Sequence, residues 1–278
     1  MLQAGQTVAQ FRILEKLGEG GMGAVFLAED AKLGRRVALK VLPEDFARDT
    51  ERQERFQREA RTAASISNPY VMGIYDIGEA VHPETGAPFT YIVMEYVDGR
   101  PLNQVIEEDN LTLPAKLRLA ERIASGLAAA HKLQVVHRDI KPENILIDAD
   151  GNPKILDFGL AKSVAAPLSA DSDSETAATV QANLTMEGRV VGTVATMSPE
   201  QAQGKDLDHR SDIFSFGVLL YRLLTGQAPF TGETQVAVLA KILETRPPAV
   251  SGMGPSWPEA GSAGLERCLA KDPERRCG

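Results

Sequence analysis

Cysteine and histidine are scarce in this chain. Its 278 residues hold two cysteines, Cys268 and Cys277, and four scattered histidines. Neither cysteine has metal-ligand spacing around it, so both read as free thiols in a reducing compartment. Basic charge is short as well: 30 Lys and Arg against 38 Asp and Glu leave a formal net charge of −8. Binding to a nucleic-acid backbone calls for a basic surplus, so that class of partner is not expected. Long apolar runs are missing. The longest, IFSFGVLLYRLL (213–224), is interrupted by Ser215 and Arg222 and is too short to span a bilayer. No signal peptide opens the chain, and no membrane segment is expected within it. What is present is ordinary for a globular protein, with 43% apolar and 24% charged residues. That is ample for one large domain or two lobes.

The pattern changes along the chain. FRILEKL, AVFLAED and RRVALKVL, within residues 11–42, alternate and carry β-formers, which predicts strands joined by glycine turns. TERQERFQREARTAASI (50–66) has helix formers and no Gly or Pro, which predicts a helix ending before Asn68-Pro69. VMGIYDIGEA and PFTYIVMEYV predict two further strands. From Pro114 onward helices dominate: PAKLRLAERIASGLAAAHKL is amphipathic, and SDIFSFGVLLYRLLTG is nearly all apolar and so predicts a buried helix. ETQVAVLAKILE and AGSAGLERCLA predict two more. Short strands are expected at VVHRDI, ILID and NPKILDFGLA. Residues 163–189 are rich in Ser, Thr, Ala and Asp and have few large apolar groups, so a mobile loop is expected there.

Three stretches carry chemistry. LGEGGMGAVF places Gly18, Gly20, Gly23 and Val25 in a GxGxxGxV pattern, in which glycines let backbone N–H groups approach phosphate oxygens. A dinucleotide-binding unit would open a helix at this point, but here strand-like sequence follows. Lys40 ends VALK among apolar neighbours, and an inward ammonium needs a carboxylate partner. Glu59 on the helix at 50–66 is the best-placed candidate. The third stretch, VVHRDIKPENILI (135–147), sets His137, Arg138, Asp139, Lys141, Glu143 and Asn144 between apolar flanks.

Together with DFG at 157–159 and SPE at 198–200, these motifs resemble the protein-kinase signature set, in order and at plausible spacings, over about residues 11–276. Their flavour is similar to bacterial eukaryotic-like Ser/Thr protein kinases. The resemblance implies an α+β, bilobal protein-kinase fold. A small β-rich N-lobe with one main helix would occupy 11–97, and a larger, mostly helical C-lobe 98–276, with the activation loop at 157–200. It implies ATP and Mg²⁺ as cofactors, with Mn²⁺ as a substitute, and protein Ser/Thr hydroxyls as acceptors. Asp139 would orient the acceptor hydroxyl and take its proton, and Lys141 would steady the γ-phosphate. Lys40 would contact the α/β-phosphates and pair with Glu59, while Asn144 and Asp157 hold the metal. Leu17, Val25, Ala38 and Leu146 would sandwich the adenine ring. Glu95 and Val97 would offer backbone hydrogen bonds to it, and Met94 would be the gatekeeper. His137 and Phe158 would be structural. Asp212 would hold the catalytic-loop backbone, and Glu200 with Arg276 would fasten the SPE segment.

In the family, an arginine placed as Arg138 is meets a phosphate on the activation loop. Thr185 is the expected regulatory site, modified in trans by a second copy in a homodimer. Thr193 together with Lys141 favours Ser/Thr over Tyr acceptors. Ala195 and Thr196 depart from the residues that relatives often carry, which leaves peptide preference open. A catalytically silent scaffold on the same fold is the alternative, opposed by the presence of Lys40, Glu59, Asp139, Asn144 and Asp157. The location implied is cytoplasmic, with or without a tether to the inner membrane from a segment outside this chain.

Overall fold

The computed structural model describes residues 2–20, 23–43, 46, 50–158, 194–250 and 259–276. The loop expected at 163–189, with Thr185, and also Thr193, lie outside these residues. The chain divides into two compact units. Residues 2–98 form the first together with Asp157 and Phe158; residues 99–156 and 194–276 form the second.

The first unit is built on a six-stranded antiparallel sheet in the order β1-β2-β3-β4-β6-β5. Its strands are β1 (Thr7–Val8), β2 (Phe11–Gly20), β3 (Gly23–Asp30), β4 (Arg35–Val41), β5 (Ile74–Val81) and β6 (Pro88–Glu95). One helix, α1 (Thr50–Ala64), follows β4. Alternation along β4 places its side chains in two core layers. Val37 and Leu39 join Phe11, Phe26, Phe89 and Tyr91 on one face of the sheet. Ala38 joins Phe56 and Ala60 of α1, with Ile92 and Met94, on the other. Lys40 shares the parity of Ala38 and is 5% exposed, so the lysine does point inward. The β2–β3 hairpin closes at Gly23, whose φ is +109°. A Cβ there would sit 1.9 Å from the carbonyl oxygen of Val41, so no other residue fits.

The second unit combines a small sheet, β7 (Gly99–Pro101), β8 (Ile145–Asp148) and β9 (Pro153–Ile155), with helices. These are α2 (Leu102–Glu108), α3 (Leu113–Lys132), α4 (Pro199–Ala202), α5 (His209–Thr225), α6 (Gln235–Glu244) and α7 (Glu259–Cys268). The apolar helix predicted at 211–226 is α5. Asp208 caps its start by accepting from the Arg210 N–H, and Gly226 ends it in the left-handed conformation. Phe214, Val218, Tyr221 and Leu224 of α5 pack with Phe230, Val238, Ile242, Leu265 and Leu269 in the core of this unit.

One expected strand does not form. VVHRDI has no ladder partner; the backbone N–H groups of His137 and Arg138 instead donate to the carboxylate of Asp212, each at 2.8 Å. A buried side chain has replaced a neighbouring strand as the acceptor. Among the described residues of NPKILDFGLA, strand is confined to Pro153–Ile155. Among the described residues no helix is long and apolar enough to cross a membrane.

Candidate active site

In the first unit, the inward ammonium of Lys40 finds its carboxylate at Asp157, Nζ to Oδ2 at 2.6 Å. Glu59, the partner expected from sequence, stands half-buried on α1 and makes other interactions. A desolvated ammonium must be neutralised by an acceptor that reaches it, and Asp157 does so from 117 residues away. Asp157 has φ +52°, an uncommon backbone state for a non-glycine residue. Its other oxygen, Oδ1, is buried and accepts no hydrogen bond among the described residues. Phe158 is 4% exposed. It lines a small cavity with Asp157, Met72, Ile74 and Met94.

Around Lys40, Ala38 and Met94 are buried and Val25 packs partly buried against them. Leu17 is 45% exposed on β2. Gly18 and Gly20 face open space, with nothing within 4 Å of a Cβ added at either. The N–H of Glu95 is taken by the Gly73 carbonyl at 2.8 Å, while Val97 follows the end of β6 with its backbone groups outside the ladder.

In the second unit, residues 137–144 wrap around Asp139. Its Oδ2 accepts from Lys141 Nζ at 2.7 Å and from Asn144 Nδ2 at 2.9 Å. Asn144 Nδ2 also donates to the Asp139 carbonyl at 2.8 Å. With its nitrogen committed to two acceptors, the amide presents Oδ1 as its remaining acceptor. Asn144 belongs to a 3-10 turn, Pro142–Asn144, that leads into β8, and its carbonyl accepts the Leu156 N–H at 2.9 Å. Leu146 is half-buried on β8.

His137 is 1% exposed. Its Nε2 lies 2.6 Å from the Leu156 carbonyl, which can only accept, while Nδ1 accepts the Asp139 N–H at 3.2 Å. One nitrogen carries the proton and the other must be bare, so the ring is a neutral bracket for the loop. Asp212, 1% exposed, accepts from His137 N, Arg138 N and His131 Nε2, all at 2.8 Å. Arg138 has φ +69°, and its Nε is buried without an acceptor among the described residues.

Glu200 and Arg276 form a buried bidentate pair, with Nη1–Oε1 at 2.5 Å and Nη2–Oε2 at 2.8 Å. Ser211 Oγ donates to the same Oε1 at 2.7 Å. Burial would raise the Glu200 carboxyl, but the hydrogen bonds from Arg276 and Ser211 outweigh it and hold the group below the ordinary carboxylate range.

Sequence reasoning missed three supports. His131 reaches Asp212 from the last turn of α3, Ser211 reaches Glu200, and Gln201 Nε2 donates to the Arg138 carbonyl at 2.7 Å. Only the last left a signal. SPEQ at 198–201 is a capping-box pattern, and both reciprocal bonds form at the start of α4.

Among the described residues no group of three or more His, Cys, Asp or Glu is placed to hold a metal. Mg²⁺ does not require one, because it binds through one or two protein oxygens with water and substrate phosphate completing its shell. The unpartnered Oδ1 of Asp157 in the first unit and the amide oxygen of Asn144 in the second are each, by their chemistry, a hard oxygen donor of that kind.

A family model described as the protein kinase domain matches residues 11–278. The chain is 39% identical over 277 residues to the serine/threonine-protein kinase PrkC of Bacillus subtilis, covering 99% of this chain and 40% of that protein. It is 40% identical over 270 residues to the serine/threonine-protein kinase PknB of Mycobacterium tuberculosis, covering 96% of this chain and 40% of that one. It therefore spans about two-fifths of the length of these relatives. The solved kinase domain of Mycobacterium tuberculosis PknI superposes with a TM-score of 0.68 at 26% identity, covering 100% of this chain and 94% of the other. The β-rich and helical units have the makings of a bilobal α+β kinase fold, and the match runs through every loop, strand and helix that carries the groups above: the chain belongs to the protein kinase family.

Proposed function

We propose that the chain is a serine/threonine protein kinase that transfers the γ-phosphoryl group of ATP to hydroxyls of protein substrates. The observation that carries this reading is the fixing of Asp139: two donors, Lys141 and Asn144, hold one carboxylate oxygen and leave Oδ1 for an acceptor hydroxyl. Asp139 orients that hydroxyl and takes its proton. Lys141 stays beside it as a positive charge for the transferring group. Lys40 and the backbone of the Gly18–Gly20–Gly23 hairpin bind the nucleotide phosphates, and Leu17, Val25, Ala38, Met94, Leu146 and the backbone of Glu95 and Val97 receive the adenine. Asn144 and Asp157 hold Mg²⁺, which when bound neutralises phosphate charge. The rest is positioning by a rigid loop, which suits phosphoryl transfer. Replacing Asp139 with Asn, with radiolabelled ATP and a generic basic protein as acceptor, is expected to lower turnover about 10²–10⁴-fold while nucleotide binding persists. Unchanged turnover would remove Asp139 from this role.

Regulation by activation-loop autophosphorylation belongs to the same reading. The buried Nε of Arg138, without an acceptor among the described residues, supports a phosphate-binding role for that side chain. Thr185 is the site proposed, modified in trans within a transient homodimer. Mass mapping of the purified chain should find phosphate on Thr185 in the wild type and none in Asp139→Asn. An active enzyme with unmodified Thr185 would sink this part alone.

A further inference from the structure

Away from the residues assigned above, the second unit keeps one amine in unusual surroundings. Lys271 follows α7, and its Nζ lies 4.0 Å from the ring centroid of Phe230 and 5.4 Å from that of Phe214. The two rings are stacked 6.0 Å apart. The Lys241 carbonyl stands at 3.5 Å, the edge of hydrogen-bonding range. Lys271 enters no ion pair among the described residues, because the nearby acids are engaged or turned outward. Asp272 caps the turn at Pro273–Arg275, Glu274 pairs with Arg210, and Glu200 is held by Arg276. Glu266 is exposed on α7, and the ammonium of Lys241 is bound to the Thr231 carbonyl at 2.6 Å.

Cationic groups outnumber the carboxylates Glu266 and Asp272 around the adjoining cavity. Arg276 lies close enough to repel a charged amine. Arg246, Arg267 and Arg275 line, with Lys271, a cavity of about 610 Å³ whose floor is Leu265, Leu269 and Tyr221. Burial first, and then the charge of Arg276, bring the amine down to about 8, while the aromatic faces act the other way. An ordinary exposed lysine titrates near about 10.4. Lys271 is half-exposed, so a small reagent can reach it.

We propose that Lys271 is a modification site, a nucleophilic amine acylated by small acyl phosphates whose phosphate is drawn in by the guanidinium groups of Arg246, Arg267 and Arg275. In the step, the nitrogen lone pair attacks the acyl carbon and an N–C bond forms. The bond from the acyl carbon to the phosphate oxygen breaks, and inorganic phosphate leaves with that electron pair. The nitrogen loses its proton to solvent, leaving a neutral amide. No oxidant or reductant is involved, and nothing in the step depends on the kinase reaction.

The whole chain is incubated with acetyl phosphate between pH 6.5 and 9.5, and acetylation of each lysine is quantified by peptide mass spectrometry. The exposed Lys32 and Lys205 serve as internal references. Lys271 is expected to react about ten-fold faster than either at pH 7.5, with a rate that levels off above about pH 9, as a group titrating well below an ordinary lysine must. Inorganic phosphate is expected to slow Lys271 more than the references. A Lys271 rate equal to the references, a rate still climbing at pH 9.5, or indifference to inorganic phosphate overturns the assignment.

Discussion

Arg276 spends all five of its N–H donors. Nε bonds the Ala270 carbonyl, Nη1 takes Glu200 and the Arg210 carbonyl, and Nη2 takes Glu200 and the Lys271 carbonyl. A guanidinium can do this and an ammonium cannot, so Arg276→Lys should fail nearly as badly as Arg276→Ala. Removing one member of a buried pair leaves the other uncompensated, which costs about 3–5 kcal/mol; urea midpoints of the three proteins measure it. The pair also has a pH signature. Glu200 has its folded pKa held below the ordinary value, so its contribution is fully present above the unfolded pKa of about 4.3 and is lost as pH falls through the folded value. Wild type should therefore lose stability more steeply below about pH 4.5 than Glu200→Gln does, in urea titrations at pH 7, 5, 4 and 3. Parallel pH profiles would show that Glu200 carries no such linkage. The sequence showed this pair only through its resemblance to a family, because 76 residues separate the partners. The inward direction of Lys40 was readable from alternation alone, whereas its partner Asp157, 117 residues distant, was not.

Short elements decide how the loop bearing Asp139 is held, and they are the ones that sequence periodicity reveals least. α2 buries only Leu102 and Val105 over seven residues, too few for a helical repeat to register. The long apolar α5 and the amphipathic α3 were legible because each repeats its pattern over four turns or more. VVHRDI has the composition of a strand, yet the carboxylate of Asp212 takes its backbone donors, so local propensity yields to a tertiary partner. α4 is four residues long, but its capping box ties two places together. Ser198 and Gln201 close the helix start, and the Gln201 amide also reaches the Arg138 carbonyl. Two substitutions should therefore separate. Ser198→Ala should cost about 1 kcal/mol of stability, as the loss of a cap does. Gln201→Ala should cost a similar amount and also lower kcat about ten-fold with KM little changed, because the loop bearing Asp139 loses a tether. Equal kcat in the two variants would show that α4 serves the fold alone.

For the molecule as a whole, a ligand that binds the folded chain and not the unfolded one raises stability by RT ln(1 + [L]/Kd), about 2.7 kcal/mol at a hundred-fold excess over Kd. At about 2–4 °C per kcal/mol for a chain of this size, that corresponds to a rise in Tm of about 5–11 °C. The net charge of −8 opposes an anionic nucleotide, so binding has to be won locally. Lys40 is already neutralised by Asp157. Under the proposed function, a triphosphate reaches a compensated ammonium unless a cation occupies the carboxylate, and the unpartnered Oδ1 of Asp157 is the oxygen that would accept one. The expectation is a nucleotide-induced rise in Tm that is large with Mg²⁺ and small in EDTA. In Asp157→Asn, a neutral amide replaces the carboxylate, so the Mg²⁺-dependent increment should disappear while a Mg²⁺-independent remainder persists. Thermal melts of both proteins, each with ATP alone, Mg²⁺ alone and the two together, separate these contributions without requiring turnover. An equal wild-type shift with and without Mg²⁺ would place the metal outside nucleotide binding, and an undiminished increment in Asp157→Asn would move its ligand to another residue.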